Sequence, residues 1–239
     1  MVPERDVDPA AIYETERCTF VELVRSLSPE RFATTVPATP SWSVHDVLAH
    51  VVAITADLNA QRFGDGDGDA WTAAQVEARR NRSVDELAAE WDREAPTFED
   101  GLRLFGYDFG AHYLGDLLQH VGDVRSAVGA TAARDDLALT VALDFYLASL
   151  EETLVSEGVG AVEVVAGEPD GDRERFVLGD GDVVVAVRGS RWELFRSLGG
   201  RRTRVEVRAL DWSGDAADIE RVVDLTSRYP VPETSLSEC

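Results

Sequence analysis

The chain holds four histidines, His45, His50, His112 and His120, and two of them sit where a metal centre could form. His50 lies in an aliphatic stretch, Leu48-Ala-His50-Val51-Val52, where an imidazole is ordinarily a buried, hydrogen-bonded core residue. His120 changes that reading, because Asp116 precedes it by four residues, and residues so spaced share one face of a helix. Two ligands from one helix and a third from a facing helix build a metal site inside a bundle. Such a site keeps coordination positions open for water or a thiolate. The same Asp–His spacing also occurs as a plain hydrogen bond, so spacing alone supports either reading. His112, one turn before Asp116, could replace a ligand or lie at the site mouth. Asp123, three residues beyond His120, would orient a ligand imidazole or pair with Arg125.

These residues need helices to position them, and apolar periodicity predicts helices over the first ~155 residues. One helix runs from about Pro9 to Leu27. Another starts at Ser43, where Ser43-Val-His-Asp46 reads as a capping box, and runs to about Phe63. Further helices are expected over Thr72–Arg80, over Val84–Phe105 behind the capping box Ser83-Val-Asp-Glu86, over Gly110–Val128 and over Asp135–Ser156. Gly64–Asp69 reads as a loop. It resembles a calcium loop only superficially, since the twelfth position from Asp65 is Val76 and not glutamate.

The period then changes. Alternation predicts strands over Ala161–Ala166, Arg173–Leu178, Val183–Val187 and Thr203–Arg208, with Gly179–Asp182 as a hairpin turn. Short helices are expected over Trp192–Leu198 and Ala216–Ser227. Helices first and strands later imply an α+β chain of two domains, 1–157 and 158–239.

Composition narrows the function. The net charge is −22 and the chain has no lysine, a field that repels phosphate backbones and argues against nucleic acid. No apolar run is long enough to span a membrane, and the opening residues lack a basic and apolar leader, so a cytoplasmic location is expected. Cys18 falls in a helical pattern and Cys239 is the last residue, so cysteine offers no disulfide framework or obvious nucleophile.

The stretch Pro40-Ser-Trp-Ser-Val-His-Asp-Val-Leu-Ala-His50-Val resembles the second-helix signature of the mycothiol-dependent maleylpyruvate isomerase-like proteins, a branch of the DinB/YfiT-like metalloenzymes. Asp116-Leu-Leu-Gln-His120-Val-Gly-Asp123-Val-Arg125 resembles their other signature. Val185–Ser190, Glu193–Arg202 and Leu210–Asp215 look like the family's small second domain, so the resemblance covers nearly the whole chain.

The resemblance implies a DinB-like four-helix bundle followed by a small α+β domain. It further implies a divalent metal, zinc being the usual ion, held by His50, Asp116 and His120. Where the isomerase carries glutamate this chain has Asp116, whose shorter arm leaves the geometry and the choice of metal open. Arg201 best matches an arginine that reaches the isomerase active site from the second domain, with Arg202 as the adjacent alternative. Trp42, Tyr113 and Trp212 are candidate pocket walls.

The expected activity is a mycothiol-dependent transferase or isomerase acting on a small electrophile, as a monomer or homodimer. A metal-bound thiol would lose its proton near neutral pH. Arg201 would clamp a carboxylate or developing negative charge. Two alternatives stand beside this reading: a metal-water hydrolase on the same scaffold, and a non-catalytic metal- or ligand-binding protein.

Overall fold

The computed structural model describes residues 2–64, 68–131, 137–168, 170–236 and 238. The chain divides into two compact units, Val7–Ala132 with Glu238–Cys239, and Ala133–Ser237 with Met1–Asp6. The change of period near Gly158 therefore falls inside the second unit, after a helix that groups with the sheet.

The first unit contains α1 (Pro9–Arg25), the single turn α2 (Pro29–Phe32), the short pair β1 (Thr35–Val36) and β2 (Thr39–Ser43), then α3 (Val44–Asn59), α4 (Gly68–Glu77), α5 (Val84–Phe105) and α6 (Tyr107–Ala127). Local chemistry marks the starts. Asp8 accepts from the Ala10 amide with Pro9 in the first turn, and Ser43/Asp46 and Ser83/Glu86 form complete capping boxes. The four long helices form the bundle: α1 and α3 each pack against both α5 and α6, and α4 lies on α3.

Phe20, Leu48, Leu87, Trp91, Leu114 and Leu117 are fully buried between them. Trp91 Nε1 donates to Thr55 Oγ1 at 3.1 Å, which satisfies the one polar atom of that ring inside the core. Of the calcium-like loop, residues 65–67 lie outside the described residues, as does the start expected at Asp135.

The second unit contains α7 (Leu137–Ser156), β3 (Gly160–Ala166), β4 (Glu174–Leu178), β5 (Asp180–Gly189), α8 (Arg191–Leu198), α9 (Arg204–Arg208), β6 (Asp211–Gly214) and α10 (Ala216–Leu225). Its sheet has the order β4-β3-β5-β6. Val162, Val164, Phe176, Leu178, Val185 and Val187 alternate into the core beneath α7, α8 and α10. Arg5 donates two hydrogen bonds to the Asp144 carboxylate and one to Glu174, which ties the first residues to this unit.

Two expectations are corrected here. Gly179–Asp182 is no hairpin turn: β4 pairs antiparallel and β5 parallel with β3, which lies between them. Gly179 and Gly181, both at positive φ, carry the chain across the end of β3. Thr203–Arg208 is not a strand either. Its alternation misleads because Thr203 and Glu206 form a capping box that starts α9. The sheet is completed instead by β6, which sequence periodicity did not reveal.

Candidate metal centre

His50 lies midway along α3, and Asp116 and His120 occupy one face of α6, which packs beside it. One donor atom from each falls within 4.8 Å of the others. The two imidazole centroids are 5.0 Å apart with nearly perpendicular planes. His120 Nε2 is 3.7 Å from Asp116 Oδ1. Both histidines are buried, whereas the Asp116 side chain is about one-third exposed, at 34%. His112 stands outside this group. It stacks on Tyr113 at 4.7 Å, and burial lowers its pKa.

A polar chain on the far side of His50 determines which ring nitrogen faces the site. His50 Nδ1 and Gln75 Oε1 are 3.0 Å apart, and Gln75 Nε2 donates to Asp57 Oδ2 at 2.9 Å. Asp57 Oδ1 in turn accepts from Arg62 Nη2 at 2.7 Å. A carboxylate paired with arginine only accepts, so the Gln75 amide nitrogen must face Asp57 and its oxygen must face His50. His50 therefore donates from Nδ1, and the Nε2 lone pair is the one left for the site. Burial, partly opposed by Gln75, depresses the His50 pKa to about 4, so the ring is neutral at pH 7. On the other imidazole, Asp123 Oδ2 lies 3.8 Å from His120 Nδ1, while Arg125 Nη1 donates to the Thr131 carbonyl.

The residue types fit a divalent ion. Two imidazoles and a carboxylate suit zinc and its first-row neighbours. Donors sharing one such ion stand some ~3–4 Å apart, given bonds of about 2.0–2.2 Å. The 4.8 Å group needs only a small side-chain adjustment to close on a cation.

The remaining sequence candidates fall into two places. Trp42, on β2, lies against the site, 4.9 Å from the His50 ring and 6.4 Å from the His120 ring. Tyr113 is one turn before Asp116 on α6, and burial, then the Asp116 charge, raises its pKa. Arg201, Arg202 and Trp212 belong to the second unit. Arg201 Nη1 donates to the Gly199 carbonyl, and Arg202 grips Glu193 with two bonds of 2.7 and 2.9 Å. Trp212 Nε1 donates to the Val207 carbonyl. Sequence reasoning missed Gln75 and Asp57. Asp57 is seven residues after His50, on the same face of α3, and that spacing was a usable signal. Gln75 comes from another element, and no spacing points to it.

Residues 13–111 match the family model of the mycothiol maleylpyruvate isomerase N-terminal domain. That stretch is similar to this family's N-terminal domain. The isomerase-family domain so matched includes Trp42 and His50 and ends just before the Asp116/His120 pair. Two solved structures share the fold. A crystal structure of the mycothiol-dependent maleylpyruvate isomerase is 16% identical, covers 84% of this chain and 92% of its own, and superposes with a TM-score of 0.53. A histidine-to-alanine mutant of that isomerase is 15% identical, covers 90% of this chain and 98% of its own, and also gives 0.53. At that identity the likeness concerns architecture: a DinB-like helical bundle followed by an α+β domain. No curated protein sequence gives a significant match to the chain.

Proposed function

We propose that the chain is a metal- and thiol-dependent transferase or isomerase that uses mycothiol as cosubstrate on a small electrophile. The observation that carries this reading is the convergence of His50, Asp116 and His120 within 4.8 Å, next to a segment matching the isomerase family. His50 through Nε2, His120 and Asp116 would hold a divalent ion, with zinc the ion best suited to the set. Such an ion, when bound, stabilises a thiolate over its thiol, so that deprotonation occurs near neutral pH.

The residues of the chain do the rest. Gln75 holds the His50 ring in one tautomer, and Trp42 lies against both imidazoles. Asp116, partly exposed, marks the side from which a ligand enters. Both isomerisation by addition and release, and transfer by displacement, begin with attack of the thiol sulfur on an electrophilic carbon.

Elemental analysis of the purified protein tests the site first: one divalent ion per chain is expected, and its loss in His50→Ala. Turnover of electrophile–thiol pairs is then compared with His120→Ala. Turnover that needs no thiol would identify a metal-water hydrolase. Rates no higher than those of His120→Ala would leave a non-catalytic metal-binding protein.

A further inference from the structure

A second feature of the first unit lies beside these residues and takes no part in the reading above. Leu58, Phe63, Phe98, Phe105, Phe109 and Tyr113 line a cleft of about 230 Å³ between α3, α5 and α6. Its walls form an aromatic ladder. Phe105 meets Phe109 at 4.9 Å, Phe109 meets Tyr113 at 4.9 Å, and Tyr113 meets Phe98 at 5.4 Å. The cleft is not simply core, since Phe105 on the ladder is 67% exposed and Phe63 on the lining 68%.

Two observations say what the space is for. First, Phe109, Tyr113, Asp116 and His120 follow the i, i+4, i+7, i+11 spacing of one helix face, so a single stripe of α6 runs from the cleft wall to the two proposed metal ligands. At ~1.5 Å per residue, Phe109 and Asp116 are roughly 10 Å apart along the axis. Second, Gly101 lies in the cleft lining, well inside α5. A glycine there costs a helix about 1 kcal/mol relative to alanine. A Cβ added at Gly101 would meet nothing within 4 Å, so the protein's own packing does not require the glycine. The space it leaves open is small, concave and mainly apolar, with Asn59, Gln61 and Thr97 at its edges, the form of a site for a small apolar group and not of a flat protein contact.

We infer that this cleft is the specificity subsite for the electrophile, and that it receives an aryl or branched-alkyl arm whose reactive carbon lies toward Asp116. The inference rests on the proposed function for its reacting end and adds the class of substrate. An arm of this kind stacks on Phe109 and Tyr113 and fills the volume above Gly101. The substrate is thus apolar at the cleft and electrophilic at the metal-ligand end.

The test uses indole as a neutral aromatic probe, titrated into the full-length protein by calorimetry without any thiol or electrophile. Saturable binding of one indole per chain is expected. Gly101→Leu should fold with unchanged circular dichroism and metal content and bind indole about tenfold more weakly or not at all. In protein loaded with Mn²⁺, the proton signals of bound indole should broaden, since Phe109 on the cleft wall is only roughly 10 Å along α6 from Asp116. Absence of saturable binding, or affinity untouched by Gly101→Leu, overturns the subsite, and so does bound indole with no broadening in the Mn²⁺-loaded protein. Self-association of the chain that Phe105→Ala abolishes would overturn it too, by assigning the aromatic face to a second copy. Loss of metal binding or thiol turnover with indole binding intact would instead sink the enzymatic reading and leave the cleft as an apolar-ligand site.

Discussion

His50 Nδ1 stands 3.0 Å from Gln75 Oε1, and that amide is itself oriented by Asp57. The tautomer of the proposed ligand is thus decided by a residue on another helix. Gln75→Leu removes the acceptor and leaves the ring free to turn or to take the other tautomer. Metal affinity is expected to fall by about 10–100-fold, as for other outer-shell partners of ligand histidines, with the helical content unchanged. Chelator competition measures the first and circular dichroism the second. An unaltered affinity would remove Gln75 from the site.

Asp116 supplies the only carboxylate of the three-residue group. Asp116→Asn keeps the size and removes the charge, and the ion should bind at least about tenfold more weakly. Asp116→Glu keeps the carboxylate on a longer arm and should retain a stoichiometric ion. Metal content of the two purified variants, measured side by side, distinguishes a ligand from a nearby surface acid, for which both would match the parent.

The depressed His50 pKa carries a sign that can be checked in metal-free protein. The folded value is about 4 against 6.5 for the free side chain. The unfolded chain therefore binds more protons between these limits, and the histidine's contribution to stability is intact above about pH 6.5 and lost progressively as pH falls toward 4. Full loss amounts to roughly 3 kcal/mol. Urea midpoints at pH 7 and pH 4.5 should differ less for His50→Gln than for the parent protein. Equal differences would show that this ring is not buried in its neutral form.

Thr55 satisfies two buried polar groups at once. It accepts from Trp91 Nε1, and its hydroxyl lies 3.4 Å from that of Tyr13. Thr55→Val keeps the shape and strands the indole N–H in the bundle core. A destabilisation of about 1–3 kcal/mol is expected, read as a lower midpoint in denaturant with an unchanged slope.

The helical half of the fold could be read from the chain because its signals are local. Capping boxes at Ser43 and Ser83 and the apolar periods behind them act within a few residues of each other, so they survive in the sequence. The Asp116/His120 pair is local in the same sense. Their partnership with His50 is what the family resemblance implies, and it took the packing of α3 on α6 to place the donors within 4.8 Å.

The sequence by itself determined the capped helix starts at Ser43 and Ser83, the acidic charge and the candidate donors, since these follow from residue type and short-range spacing. Only the tertiary structure decided what distant segments do together. It brought Gln75 of α4 to His50, inserted β3 between β4 and β5, and left open space above Gly101. Each of these depends on contacts between residues far apart along the chain. Hydrogen-bond satisfaction and packing between elements select such contacts, and no local pattern encodes them.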